Sequence, residues 1–195
     1  MVETIAPVVY GNRRNYRIAV ALHALAAGGA GAAFGALLGL VGLALGGPWG
    51  DAGLITVAVV ALGYAARELV GLPLPLFDRR RQVPDWWRTF YSPWVAALLY
   101  GARLGIGYMT FLRFGTYVAV SVAALASGDP MLGAAFGGAF GLARGVTALA
   151  AAGTSDADGA ALVVVKLEAI ATSRGPRVAN GLMCILLAGA ALLRA

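Results

Sequence analysis

The chain holds one cysteine, Cys184, one histidine, His23, and nine carboxylate side chains among 195 residues. Each shortage removes a class of chemistry. A single cysteine excludes an intrachain disulfide framework and a paired-cysteine redox centre. One histidine with scattered acids gives no cluster of metal-ligand spacing, so neither a metal nor another cofactor is expected. No nucleophile stands beside a base, and no phosphate loop or paired-carboxylate motif occurs. The isolated hydroxyls Thr110, Ser121 and Thr147 suit bonds to preceding carbonyls better than attack on a substrate. The expected protein is therefore not an enzyme. Residues 1–10 lack the basic start and long apolar stretch of a cleavable signal peptide, so insertion into a membrane is expected to depend on the helices themselves.

What the chain has in excess is apolar surface. Hydrophobic residues make up 60% and charged ones 12%, against about 45–50% and about 25% in soluble domains. A soluble domain of this length has too little interior for that composition, whereas hydrocarbon accepts it on every helix face. The runs are apolar throughout rather than alternating, which argues for helices over a barrel. The fold expected is all-α, a single polytopic helical membrane domain.

The formal charge is +6, but the arginines are grouped. Arg13, Arg14 and Arg17 lie near the start, and Arg79, Arg80, Arg81 and Arg88 fill a central loop. That pattern matches a topology signal and not a phosphate-tracking face, so the bilayer and not nucleic acid is the expected partner. The reading is a multi-pass protein of the cell membrane with loop 72–92 cytoplasmic. Trp86, Trp87 and Trp94 in and beside that loop suit headgroup depth.

Apolar stretches run over 17–46, 53–71, 93–127, 131–152, 159–173 and 177–193. About 20 residues cross the hydrocarbon, so 93–127 is too long for one ordinary helix and 159–173 is short. Broken or paired helices are expected, with about six membrane segments. Residues 32–40 (AAFGALLGL) resemble 134–142 (AAFGGAFGL), which suggests two related halves, 1–92 and 93–195. On that logic the turn Ser127-Gly128-Asp129-Pro130 corresponds to Ala27-Gly28-Gly29-Ala30, and the first stretch would itself be a hairpin. Positive-inside bias favours the simpler count, which leaves both arginine groups on one side.

Gly31, Gly35 and Gly39, and likewise Gly133, Gly137 and Gly141, recur at every fourth position. Such faces let backbones approach closely and are packing devices in membranes. Charges within apolar runs are more telling, since each costs about 2.5–3.5 kcal/mol at the bilayer centre on the lenient scale. Arg144, Arg103 and Arg113 are candidate substrate-binding residues on this ground. His23 is a weaker candidate, for a lone histidine on an apolar helix more often packs and hydrogen-bonds. The competing reading gives the arginines an ion pair with Glu68 or Glu168, or a carbonyl contact.

The segment Tyr100-Gly101-Ala102-Arg103-Leu104-Gly105-Ile106-Gly107-Tyr108-Met109-Thr110, preceded by the arginine loop and Pro93, resembles the polytopic superfamily of cytochrome c biogenesis and thiol-disulfide interchange membrane proteins. The resemblance covers Arg79 to Arg144. Members carry a cysteine beside proline in the comparable helix, and this chain has neither there, so no redox role carries over. What the resemblance implies is about six helices in two halves and a transport-like function. The leading expectation is thus a small transporter moving an anionic or zwitterionic solute past Arg103 and Arg144. The alternative is a non-catalytic structural subunit or assembly factor, docked to membrane proteins or to further copies of itself.

Overall fold

A computed structural model describes residues 10–76, 86–154 and 157–195, and every regular element among them is helical. The arginines Arg79, Arg80 and Arg81, and with them most of the central loop, lie outside the described residues.

Helix α1 spans Arg13–Ala44 and is the axis of the structure. The Asn12 side chain caps it by accepting from the Asn15 N–H at 2.8 Å. Its 32 residues, at 1.5 Å each, reach about 48 Å. It runs without interruption through Ala27-Gly28-Gly29-Ala30, so the hairpin that repeat logic would place there does not form, and the first stretch is the single helix of the simpler count. The reason is visible at the counterpart. Gly128 adopts a left-handed conformation with φ 60°, and Asp129 caps the next helix by accepting from Met131 N–H at 2.8 Å and Leu132 N–H at 3.2 Å. Pro130 then occupies the first helical position. Residues 27–30 have the small side chains but neither the cap nor the proline, and glycine alone weakens a helix without ending it.

Helix α2 (Gly50–Val70) returns antiparallel to α1 and ends at Gly71, left-handed at φ 80°. A one-turn helix α3 (Trp87–Phe90) precedes α4 (Pro93–Gly105). A 3-10 turn over Gly107–Met109 and an irregular segment lead to α5 (Thr116–Ser127). Helix α6 (Pro130–Gly145) continues as a 3-10 segment over Val146–Ala151, followed by α7 (Ala157–Thr172) and α8 (Arg174–Leu192). The stretch 93–127 is indeed broken.

Four of these pieces are long and apolar enough to cross a membrane: Arg13–Ala44, Gly50–Val70, Pro130–Ala151 and Arg174–Leu192. Helices α4, α5 and α7 are shorter, at 13, 12 and 16 residues.

Glycine sets the packing. Helix α6 lies antiparallel along α1, and a methyl placed on Gly31, Gly35 or Gly39 would strike the backbone of Gly137, Gly133 or Asp129. In return, one on Gly141 would strike the Ala27 carbonyl. The two glycine faces read from the sequence therefore meet each other, backbone against backbone, where dispersion and Cα–H contacts replace side-chain interdigitation. Gly101 and Gly105 do the same for α4, against the carbonyls of His23 and Ala27. Further along, Gly42 meets Leu125 of α5. Helix α4 thus covers the first half of α1 and α5 the second, end to end, with the break between them near the midpoint of α1. Helix α2 packs beside α5, and α8 beside α2.

The buried core is largely alanine, glycine and tyrosine, while leucine, isoleucine and methionine point outward, among them Leu25 at 66%, Leu186 at 66% and Met131 at 79% exposure. Small residues inside and large apolar ones outside invert the soluble pattern.

Candidate functional site

Several polar side chains, Arg144, Thr110, Glu68, Thr116 and Asn180 among them, gather at the break between α4 and α5. Breaking a helix strips carbonyls of the last turn of α4 and N–H groups of the first turn of α5 of their intrahelical partners. Side chains from α6 and α2 supply replacements, and one from α8 binds a hydroxyl beside them.

Arg144, in the last turn of α6, reaches across because Gly141 and Gly145 hold α6 tight against α1. Its Nη1 donates to the Leu104 carbonyl at 3.3 Å and to Thr110 Oγ1 at 2.9 Å, and its Nη2 donates to the Phe111 carbonyl at 3.3 Å. The Thr110 hydroxyl in turn donates a hydrogen bond to the Gly107 carbonyl at 3.1 Å. One guanidinium therefore ties the end of α4 to the irregular segment, using the fork geometry that lysine lacks. The guanidinium also lies 5.4 Å from the Phe140 ring centroid. From α4 itself, Arg103 Nε donates to the Met109 carbonyl at 3.4 Å, and its guanidinium sits 5.9 Å over Trp87.

The other side of the break is held by Glu68 of α2, a carboxylate only 7% exposed. It accepts the Gly115 N–H at 3.1 Å, at the start of α5, and pairs with the neighbouring Arg67. Arg67 Nε also donates to the Leu74 carbonyl at 3.0 Å, and the Tyr64 hydroxyl donates to that of Pro75 at 2.9 Å, which fastens the chain leaving α2. Gly115 is required by contact, since a side chain there would meet the Tyr64 ring. From α8, Asn180 Oδ1 accepts from Thr116 Oγ1 at 2.7 Å, and its Nδ2 donates to the Pro176 carbonyl at 2.8 Å. Among the described residues no buried side-chain nitrogen or oxygen is left without a partner.

Beside the break lies a cleft of 630 Å³. Its walls are the segment from Phe111 to Phe114, the α5 residues Thr116, Tyr117 and Val120, and Phe136, Phe140 and Arg144 on successive turns of α6, with Ala171 and Asn180 opposite. Of the residues singled out from sequence, Arg144 and Arg113 share this cleft. Arg113 stands 3.9 Å from Glu168 and 5.6 Å from the Phe111 ring. Arg103 lines no part of it. His23 lies apart as well, 1% exposed between α1 and α4, with Nδ1 3.2 Å from the Ala97 carbonyl. Cys184 is fully buried, 3.6 Å from Thr116 Oγ1. No cluster of metal-ligating side chains occurs among the described residues.

Sequence reasoning gave no place to Thr110 as a ligand of Arg144, to Asn180, or to Glu68 as a partner of the α5 backbone. The available signal was polarity inside apolar runs, which Asn180 and Glu68 both show.

This chain is similar to the methylamine utilization protein MauF. Identity is 38% over 109 residues with the protein of Paracoccus versutus, covering 56% of this chain and 38% of the relative. It is 34% over 110 residues with that of Paracoccus denitrificans, covering 56% and 40%. With that of Methylorubrum extorquens it is 36% over 107 residues, covering 52% and 38%. The chain thus matches about two fifths of the length of these curated relatives. No family model and no solved structure matches.

These relatives overturn two expectations. The resemblance to the cytochrome c biogenesis and thiol-disulfide interchange superfamily gives way to proteins named for methylamine utilization. The transporter reading falls with it, since solute transport was implied by that superfamily and by buried arginines, and the relatives' name supports no such role. Arg144 also makes its bonds to the chain's own carbonyls, so buried cationic charge alone does not require a solute.

Proposed function

We propose that the chain is a membrane-embedded, non-catalytic subunit or assembly factor of a larger complex that serves methylamine utilization. The observation that carries the reading is the similarity, over more than half of the chain, to proteins named for that process. Two features support the structural character of the role. The polar residues around the α4–α5 break hold backbone, the task required wherever irregular backbone sits among helices away from water. The outward face carries large apolar side chains along four helices of spanning length, which suits both lipid and the helices of partner proteins. The arginine-rich end, with Arg13, Arg14, Arg17 and the loop after α2, faces the cytoplasm on this reading.

The test is deletion of the gene in the source organism, followed by growth on methylamine and on ammonium as nitrogen source, beside native electrophoresis of the tagged chain extracted in mild detergent. Loss of growth on methylamine alone, with the chain migrating in an assembly larger than itself, is the expected result. Unimpaired growth together with a free chain would overturn it.

A further inference from the structure

Arg144 uses only part of its donor set on the break. Its Nη1 hydrogens and one Nη2 hydrogen are bonded, while Nε has no acceptor among the described residues. No described carboxylate lies within ion-pair distance of Arg144, the two ion pairs being Arg67–Glu68 and Arg113–Glu168. Neutral carbonyls satisfy its hydrogen bonds without cancelling its charge. A second guanidinium, that of Arg113, opens into the same cleft, held at 3.9 Å by a Glu168 side chain that is 69% exposed. Two cations thus line a cleft whose other walls are mainly aromatic and aliphatic, with the polar side chains of Thr116, Thr147 and Asn180 among them.

The apolar part has the right length for a chain of methylenes. Phe140 and Phe136 follow Arg144 on successive turns of α6, a run of roughly 12 Å at 1.5 Å per residue, comparable with the roughly 15 Å depth of one bilayer leaflet. The position along the molecule agrees. Gly145, beside Arg144, packs on Ala24 of α1, which lies past Arg17 by about 10 Å, so the cleft's cationic end points toward the end that carries the amino-terminal arginines.

We propose that this cleft binds an anionic phospholipid, with its phosphate between Arg144 and Arg113 and one acyl chain laid along Val120, Phe140 and Phe136. The proposal rests on the membrane-embedded reading given above. A second cleft of 400 Å³, along the far half of α5 and bounded by Ala190 and Arg194, lacks the guanidinium pair and serves as the internal control.

The experiment titrates the detergent-solubilised chain with dioleoylphosphatidylglycerol or dioleoylphosphatidylcholine and counts retained lipid by native mass spectrometry. One phosphatidylglycerol held in preference to phosphatidylcholine is expected. Arg113→Gln should reduce that preference about fivefold; Val120→Trp, which fills the cleft, should abolish it, and Ala190→Trp should leave it intact. Should Val120→Trp lose its helical circular dichroism, the Arg113→Gln comparison decides alone. Equal retention of the two lipids, undiminished preference in Arg113→Gln, or displacement of the lipid by millimolar inorganic phosphate would each overturn the proposal. The parent reading has a separate readout, because a chain released from membranes by alkaline carbonate refutes membrane embedding itself. A chain that stays in the membrane without lipid preference refutes only the lipid site.

Discussion

Arg144 marks the point where a costly residue is retained for what it holds. Its guanidinium touches Leu104, Thr110 and Phe111, so replacement by glutamine removes a charged donor from three acceptors, each such bond contributing about 1.5–3 kcal/mol before compensation. Within a membrane protein the measured coupling per hydrogen bond is smaller, about 0.6 kcal/mol on average and about 1.7 at most. A double-mutant cycle of Arg144→Gln with Thr110→Val, followed by thermal melting in detergent, is therefore expected to return a coupling in that lower range; strict additivity of the two substitutions would show that the contact carries no stability. Glu68 gives a second comparison. Glutamine at this position keeps an oxygen for the Gly115 N–H and loses the ion pair with Arg67, whereas alanine loses both. Glu68→Ala should lower the melting temperature more than Glu68→Gln, and equal losses would assign the whole effect to the ion pair. At this scale the sequence showed which residues are expensive to bury but not what satisfies them. Arg144 and Arg113 stand out as charges in apolar runs. Carbonyls exposed by a helix break leave no mark in a sequence, because every residue carries one.

Elements were more legible than contacts. Pro93, Asp129 and Pro130 start helices where such residues are expected to, and the excess length of 93–127 foretold a break. Of the two readings of the first stretch, the hairpin of the repeat logic fails and the single helix of the simpler count holds, because Ala27-Gly28-Gly29-Ala30 lacks the cap and proline of the turn it is matched to. The fourfold glycine spacing marked two faces as packing faces, and in the structure each lies against the other, a pairing the spacing did not name. That pairing makes a sharp prediction. Gly35 and Gly29 occupy the same helix, but a methyl on Gly35 meets the Gly133 carbonyl while one on Gly29 meets nothing within 4 Å. Gly35→Ala should destabilise by about 1–3 kcal/mol through overpacking, and Gly29→Ala should be neutral within about 0.5 kcal/mol or stabilising. Both are read from melting temperatures of the purified variants. Equal responses would show that the close approach of α1 and α6 is not what holds the bundle.

For the molecule as a whole, composition indicated an all-helical, lipid-facing chain, and left purpose undetermined because alanine, glycine and leucine line many unrelated bundles. Direction is better specified. Because α1 is a single helix and α2 is antiparallel to it, Arg13, Arg14, Arg17 and the segment that follows Gly71 share one end of the bundle. Helix α8 runs antiparallel to α2, with Gly181 against Leu69 and Arg194 beside Pro48 and Leu54, so the last described residue sits at the opposite end. Among the described residues Arg13, Arg14 and Arg17 lie at the first end, and positive charge is retained on the cytoplasmic side during insertion. Thr89→Cys, exposed in α3, should then be protected from a membrane-impermeant maleimide in intact cells and become reactive on lysis, whereas Ala195→Cys should react from outside. The native Cys184 is fully buried and should stay silent in both conditions. Labelling of both introduced cysteines from one side would break the antiparallel order of α2 and α8, and labelling with the two sides exchanged would place the arginine-rich end outside, against the bias that orients ordinary multi-pass proteins.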